Sequence, residues 1–124
     1  MKPSGGASRL AESLQVFKAD LFKALAHPSR IRILELLGDG EKSVGELQLG
    51  LGVEGSSVSQ QLAILRMKDL VDTRKVGNVI HYRIRDRQVN SLLEVARQIF
   101  DAHLIQLQSM SDQQPVHPSG RAAR

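Results

Sequence analysis

The stretch VEGSSVSQQLAIL, residues 53–65, has the apolar spacing of a helix. It opens, however, with Ser56, Ser57, Ser59, Gln60 and Gln61, where stronger helix formers would be expected. Laid out at about 100° per residue, Val58, Leu62 and Leu65 form one apolar stripe, and Ser56, Ser59, Gln60 and Ala63 fall roughly opposite. Taken alone, serines at a helix start are caps and glutamines a solvated face. The neighbouring segments decide whether these short polar side chains are instead presented to a partner.

Upstream, residues 43–52 read SVGELQLGLG, with Ser43 and Glu46 in capping-box spacing and a glycine-punctuated turn at Gly50 and Gly52. A short helix therefore runs almost directly into the next one. Before it, Pro28 suits the first position of a helix whose Ile31, Ile33, Leu34, Leu36 and Leu37 run to a stop at Gly38. Earlier still, Leu10, Leu14, Phe17, Leu21 and Leu25 recur at steps of three or four, which places a first helix from about Ser8, a candidate cap.

Downstream, LVDTRKVGNVIHYRI reads as two strands joined by a Gly77-Asn78 turn, both residues of which tolerate positive φ. The turn sets a register. Val76 faces Val79, Arg74 faces His81 and Asp72 faces Arg83 on a basic face; Lys75, Thr73 and Val71 face Ile80, Tyr82 and Ile84 on a mostly apolar one. Asp72 and Arg83 are expected to form a surface ion pair. A last long helix follows Asp86 as N-cap and carries Val89, Leu92, Leu93, Ala96, Ile99, Phe100, His103, Leu107 and Met110 at helical spacing.

The chain has 124 residues, 41% hydrophobic and 24% charged, which fits one domain, 8–110, between polar tails 1–7 and 111–124 expected to be disordered. Only 3% of residues are aromatic, so an aliphatic core is expected rather than a stacking platform for single strands. The absence of cysteine excludes disulfides, thiolate metal sites, cysteine nucleophiles and thiol redox sensing. No apolar run reaches the roughly 18 residues of a membrane span, and residues 1–8 lack the apolar centre of a signal peptide, so the cytoplasm is the expected location. GDGEKS and GLGVEGSS match neither a Walker nor a dinucleotide fingerprint and read as turns; no enzyme, catalytic residue or cofactor is expected.

A short helix, a glycine turn, a helix with a small polar outer face and a basic two-stranded wing make the order of a winged helix-turn-helix: mostly α, with a small β-hairpin. The major groove of double-stranded DNA is about 12 Å wide and just admits a helix, whose N-terminal residues reach bases and phosphates first. Serine bonds phosphates and base edges, and glutamine pairs with adenine, whereas bulky residues there would hold the helix away. The net charge of +4 is compatible with a polyanionic partner. The first and last helices carry more apolar surface than so small a domain can cover, which predicts a homodimer through Leu14, Phe17 and Leu21 and through Leu92, Leu93, Ala96, Ile99, Phe100, His103 and Leu107.

On FKALAHPSRIRILELL, SVGELQLGLGVEGSSVSQQLAILRMKDLV and TRKVGNVIHYRI, residues 22–84 resemble the ArsR/SmtB family of bacterial winged-helix repressors. The resemblance covers about half the chain. It implies a homodimer on an imperfect palindromic operator, with Ser56, Ser57, Ser59, Gln60 and Gln61 in the reading segment and Arg74, Lys75, Asn78 and His81 in the wing. For Arg74 and His81 the bare residues leave DNA contact and ordinary surface roles open.

Many members of that family release DNA on binding a metal ion. The positions matching the thiolate site are Gln48 and Gly50, and those matching the last-helix site are Asp86, Gln88, Ile99 and Ala102, so neither usual site is expected. His27, His103 and His117 are scattered, and the alternative of a relocated His/Asp metal site, like a pH response through His103, rests on them. A winged helix that binds protein instead is a further alternative, against which Arg66, Lys68, Arg74, Lys75, Arg83, Arg85 and Arg87 count. The inducing signal is not legible.

Overall fold

A computed structural model describes residues 5–52 and 55–113. The order along the chain is α1 (Gly5–Leu25), α2 (Pro28–Leu37), β1 (Lys42–Ser43), α3 (Val44–Leu51), α4 (Gly55–Met67), β2 (Val71–Val76), β3 (Val79–Ile84) and α5 (Gln88–Gln113). The strands form one antiparallel sheet ordered β1-β3-β2. Two compact units divide the chain, with the boundary between Asn90 and Ser91 inside α5. Among the described residues no helix is long and apolar enough to cross a membrane.

Local chemistry sets most element ends. His27 is extended at φ −140°, and Pro28, whose ring presets helical φ, begins α2. Ser43 Oγ accepts from the Glu46 N–H at 3.2 Å while Glu46 Oε1 accepts from the Ser43 N–H at 2.9 Å, so both halves of the expected capping box form at the start of α3. That helix ends at Gly52, φ 68°, whose N–H donates to the Gln48 carbonyl at 2.8 Å. After α4, the Leu70 N–H donates to the Leu65 carbonyl and the Asp69 N–H to the Arg66 carbonyl. This is a Schellman closure, with Asp69 at φ 60° where glycine is usual.

The core of the first unit comes from three helices: Ile33, Leu34 and Leu37 of α2, Leu47 of α3, and Val58, Leu62 and Leu65 of α4, all buried. Ala24 and Leu25 from the end of α1, Leu70, Val71 and Val89 complete it. The predicted stripe of α4 thus faces inward, and truncating Leu62 to alanine would cost about 2–5 kcal/mol in lost burial and cavity.

The hairpin register is the predicted one at all six pairs, from Val71 opposite Ile84 to Val76 opposite Val79. Of its two turn residues only Gly77, φ 61°, takes positive φ; Asn78 does not, which is the pattern of a II′ rather than a I′ turn. Gly38 does end α2, but in the right-handed region, φ −61°. It is small for another reason: a Cβ there would lie 2.5 Å from the Asn90 side-chain nitrogen.

Three expectations about extent need correction. Helix α1 begins at Gly5, so Ser8 lies within it rather than capping it; α5 continues past Met110 to Gln113. The wing is not a bare hairpin, because Lys42 and Ser43 pair with Tyr82 and His81 as a third strand. Two residues carry almost no periodicity, which is why the sequence does not announce this strand. Of the tails expected at 1–7 and 111–124, residues 5–7 and 111–113 lie within α1 and α5, and 1–4 and 114–124 lie outside the described residues.

Candidate nucleic-acid interface

With Val58, Leu62 and Leu65 turned into the core, the helical period places Ser59, Gln60, Ala63, Arg66 and Met67 on the exposed side of α4. Small residues precede larger ones along this face, so its N-terminal half offers hydroxyl and amide groups close to the helix surface. A shallow groove between α4 and the sheet is lined by Ser59, Ala63, Arg66, Met67 and Tyr82 with the edge of Leu62. Arg66 and Tyr82 extend the predicted reading face toward the wing. Arg66 was legible as part of the positive charge around α4, whereas Tyr82 was read only as a strand residue and no local pattern marked it.

Two of the predicted reading residues occupy the flank of α4 rather than its outer face. Ser57 and Gln61, one turn apart, line a cleft with Pro28 and Ser29 at the start of α2. Gln61 is half-buried, and its Oε1 accepts a 2.8 Å hydrogen bond from Arg30 Nε; Arg30 Nη1 also donates to the Ala24 carbonyl at 3.3 Å. In the unbound chain the Gln61 side-chain oxygen is therefore already engaged by Arg30. Arg30 was not singled out from the sequence, since a partner 31 residues away leaves no local signal. The side chain of Ser56 lies outside the described residues.

The wing also differs from its sequence reading. Arg74, His81, Asp72 and Arg83 share a face as expected, but β1 brings Glu41 to the same face. Arg74 Nε donates to both Glu41 carboxylate oxygens at 3.2 and 3.1 Å, and Arg74 Nη2 donates to Oε1 at 2.8 Å. Arg83 Nη1 lies 3.8 Å from Glu41 Oε2, so the acid that Arg83 approaches is Glu41 and not the expected Asp72. Hydrogen bonding from Arg74 holds the Glu41 carboxyl below the usual glutamate pKa, and the same pairing holds Arg74 above its usual value. On the face expected to be basic, the two arginines are thus matched in number by two acids, Glu41 and Asp72. Lys75 and Asn78, by contrast, are exposed toward the tip, and Lys75 has no ion-pair partner among the described residues.

Outside this region, Asp86, the one good ligand among the last-helix metal positions, accepts the Gln88 N–H on Oδ1 at 2.9 Å and so caps the start of α5. Among the described residues no three His, Cys, Asp or Glu side chains gather as a metal would need. His27 sits at the α2 boundary and His103 is exposed on α5; His117 lies outside the described residues.

Residues 27–73 match the family described as bacterial regulatory protein, arsR family. The uncharacterized HTH-type transcriptional regulator Rv0081 of Mycobacterium tuberculosis is 48% identical over 90 residues, 72% of this chain and 79% of that protein. Its crystal structure matches at TM-score 0.68 and 46% identity, covering 75% of this chain and 94% of that one. A biofilm growth-associated repressor of Agrobacterium fabrum is 42% identical over 84 residues, 68% of this chain and 72% of that protein. The solution structure of the homodimeric winged helix-turn-helix DNA-binding domain of Mb0332 from Mycobacterium bovis matches at TM-score 0.69 and 30% identity, covering 84% of this chain and 92% of that one.

Proposed function

Because the chain belongs to the ArsR family of bacterial regulatory proteins, and is thus a DNA-binding winged helix-turn-helix transcriptional regulator and not an enzyme, we propose that it is a homodimeric repressor of an imperfect palindromic operator. The observation that carries this reading is the outer face of α4, where Ser59 and Gln60 stand exposed over a fully apolar inner stripe beside the wing. Gln60 reads base edges, Ser59 and Ser57 bond phosphates or bases, and Lys75 and Asn78 meet the adjacent backbone. Ser56 and His81 belong to the same footprint. Gln61 and Arg74 join it only by exchanging their present partners, Arg30 and Glu41.

Dimerisation is supported by the apolar surface of the terminal helices. Leu14 and Phe17 on α1, and Ile99, Phe100 and Leu107 on α5, are exposed in the single chain, Phe17 at 64% and Ile99 at 67%. Apolar rows on two long helices are what a second copy covers. Leu21, Leu92 and Leu93 are half-buried beside those rows, and Ala96 and His103 are exposed. A two-fold dimer presents two α4 helices to half-sites one helical turn apart, about 34–36 Å.

Mobility shifts with the DNA upstream of the protein's own coding sequence test the reading. A specific complex that resists random competitor duplex, and a reporter gene on that DNA whose expression rises when the protein is removed, are expected. Equal affinity for random duplex overturns operator recognition, and a fall in reporter expression overturns repression. Within the complex, Gln60→Ala should relax base preference by about 1–3 kcal/mol, whereas Lys75→Ala should weaken all duplexes and lower the salt slope by about 0.9.

A further inference from the structure

Glu41 stands where the wing would otherwise offer two arginines to DNA. Strand β1 pairs Lys42 with Tyr82, so one residue earlier Glu41 comes level with Arg83, on the face that also carries Arg74. The Arg74 guanidinium reaches it through two nitrogens and Arg83 lies 3.8 Å away. A carboxylate held by a guanidinium fork has the geometry of a phosphate held by the same fork.

Resting on the DNA-binding reading above, we propose that Glu41 is a specificity-determining residue: it occupies Arg74 and Arg83 in the free protein, and a DNA phosphate must displace it before the wing arginines add affinity. Both arginine side chains are half exposed, 56% and 50%, although Glu41 is only 26% exposed, so a phosphate can reach the guanidinium groups and compete with the carboxylate for the same fork. Affinity for arbitrary duplex comes almost wholly from such phosphate contacts. An internal acid on the wing therefore lowers it selectively. On the correct sequence, base contacts from α4 hold the wing against the backbone long enough for the exchange. Lys75, on the opposite face of the hairpin, has no such competitor among the described residues and contributes on any sequence.

The test is fluorescence anisotropy of wild type, Glu41→Gln and Glu41→Ala on a random-sequence duplex and on the duplex enriched by selection, across about 50–200 mM salt. Glu35→Gln serves as a control, because it removes the same charge from a surface pair with Arg32 on α2. Both Glu41 variants should bind random duplex about threefold or more tightly at low salt, with a log–log salt slope steeper by about 0.9 for each arginine freed, and with reduced discrimination between the two duplexes. Glu35→Gln should change little, and an Arg74→Ala, Arg83→Ala background should abolish the gain. The proposal is overturned if Glu41→Gln, melting like wild type, binds both duplexes as wild type does, or if its gain survives without the two arginines. Weaker binding together with a lowered melting temperature also overturns it, since Glu41 would then only brace β1. A wild-type protein that binds no duplex even at low salt would instead bring down the DNA-binding reading itself.

Discussion

Arg30 Nε donates to the Gln61 side-chain oxygen at 2.8 Å, so the first turn of α2 is tied to the middle of α4. The bond fixes α4 against the helix behind it. It also engages, in the unbound chain, a residue that the family resemblance places in the reading segment. Replacing either partner with alanine should cost about 1 kcal/mol, and the double variant should cost less than the sum by about 0.5–1 kcal/mol, measured by urea unfolding. Gln61→Ala should change base preference much less than Gln60→Ala; equal relaxation by both, at unchanged stability, would show that Gln61 leaves Arg30 for a base.

The capping box at the start of α3 makes the helix-turn-helix sensitive to acid. The Ser43 backbone N–H, then its hydroxyl, hold the Glu46 carboxyl below the usual glutamate pKa, and Arg74 does the same for Glu41. A carboxyl whose folded-state pKa is depressed stabilises the fold above its unfolded value, about 4.3, and that contribution is lost as pH falls through the lowered value. Thermal melts should therefore show stability declining below about pH 4. Glu46→Gln, which keeps an acceptor but cannot titrate, should make the decline shallower. Ser43→Ala should cost about 0.5–2 kcal/mol at neutral pH.

Apolar exposure on α5 bears on assembly. Phe100 is 59% exposed and Ile99 more so, and Phe100→Glu should leave the helical content unchanged while converting a dimer to a monomer in sedimentation velocity. The monomer should lose most affinity for a palindrome and keep that for a single half-site. A Phe100→Glu protein that remains dimeric would move the interface elsewhere.

Metal response should be absent at both sites usual in the family. Asp86 is engaged as the cap of α5 through the Gln88 N–H, and Gln48, Gly50, Ile99 and Ala102 supply no thiolate, imidazole or carboxylate. Zinc, nickel, cobalt and arsenite, titrated into the DNA complex against chelator controls, should leave it intact. Asp86→Ala should fray the start of α5, lowering the melting temperature modestly without a metal-dependent component. Micromolar release that disappears in Asp86→Ala or His103→Ala would instead reveal a relocated metal site.

Sequence alone determined what depends on neighbours along the chain. The 3.6-residue period put Val58, Leu62 and Leu65 in the core, the Ser43–Glu46 spacing started α3, and Gly77 fixed all six pairs of the hairpin, because each is settled within a turn or two of helix or across one tight turn. The family resemblance was legible on the same segments. Tertiary structure decided which polar groups are free. Gln61 meets an arginine 31 residues away, and Arg74 meets a glutamate 33 residues away through a strand only two residues long. A side chain's hydrogen-bond partner depends on which distant backbone the fold brings beside it, and neither periodicity nor charge pattern encodes that. For this reason the sequence showed the wing as basic, and only the fold placed Glu41 among its arginines.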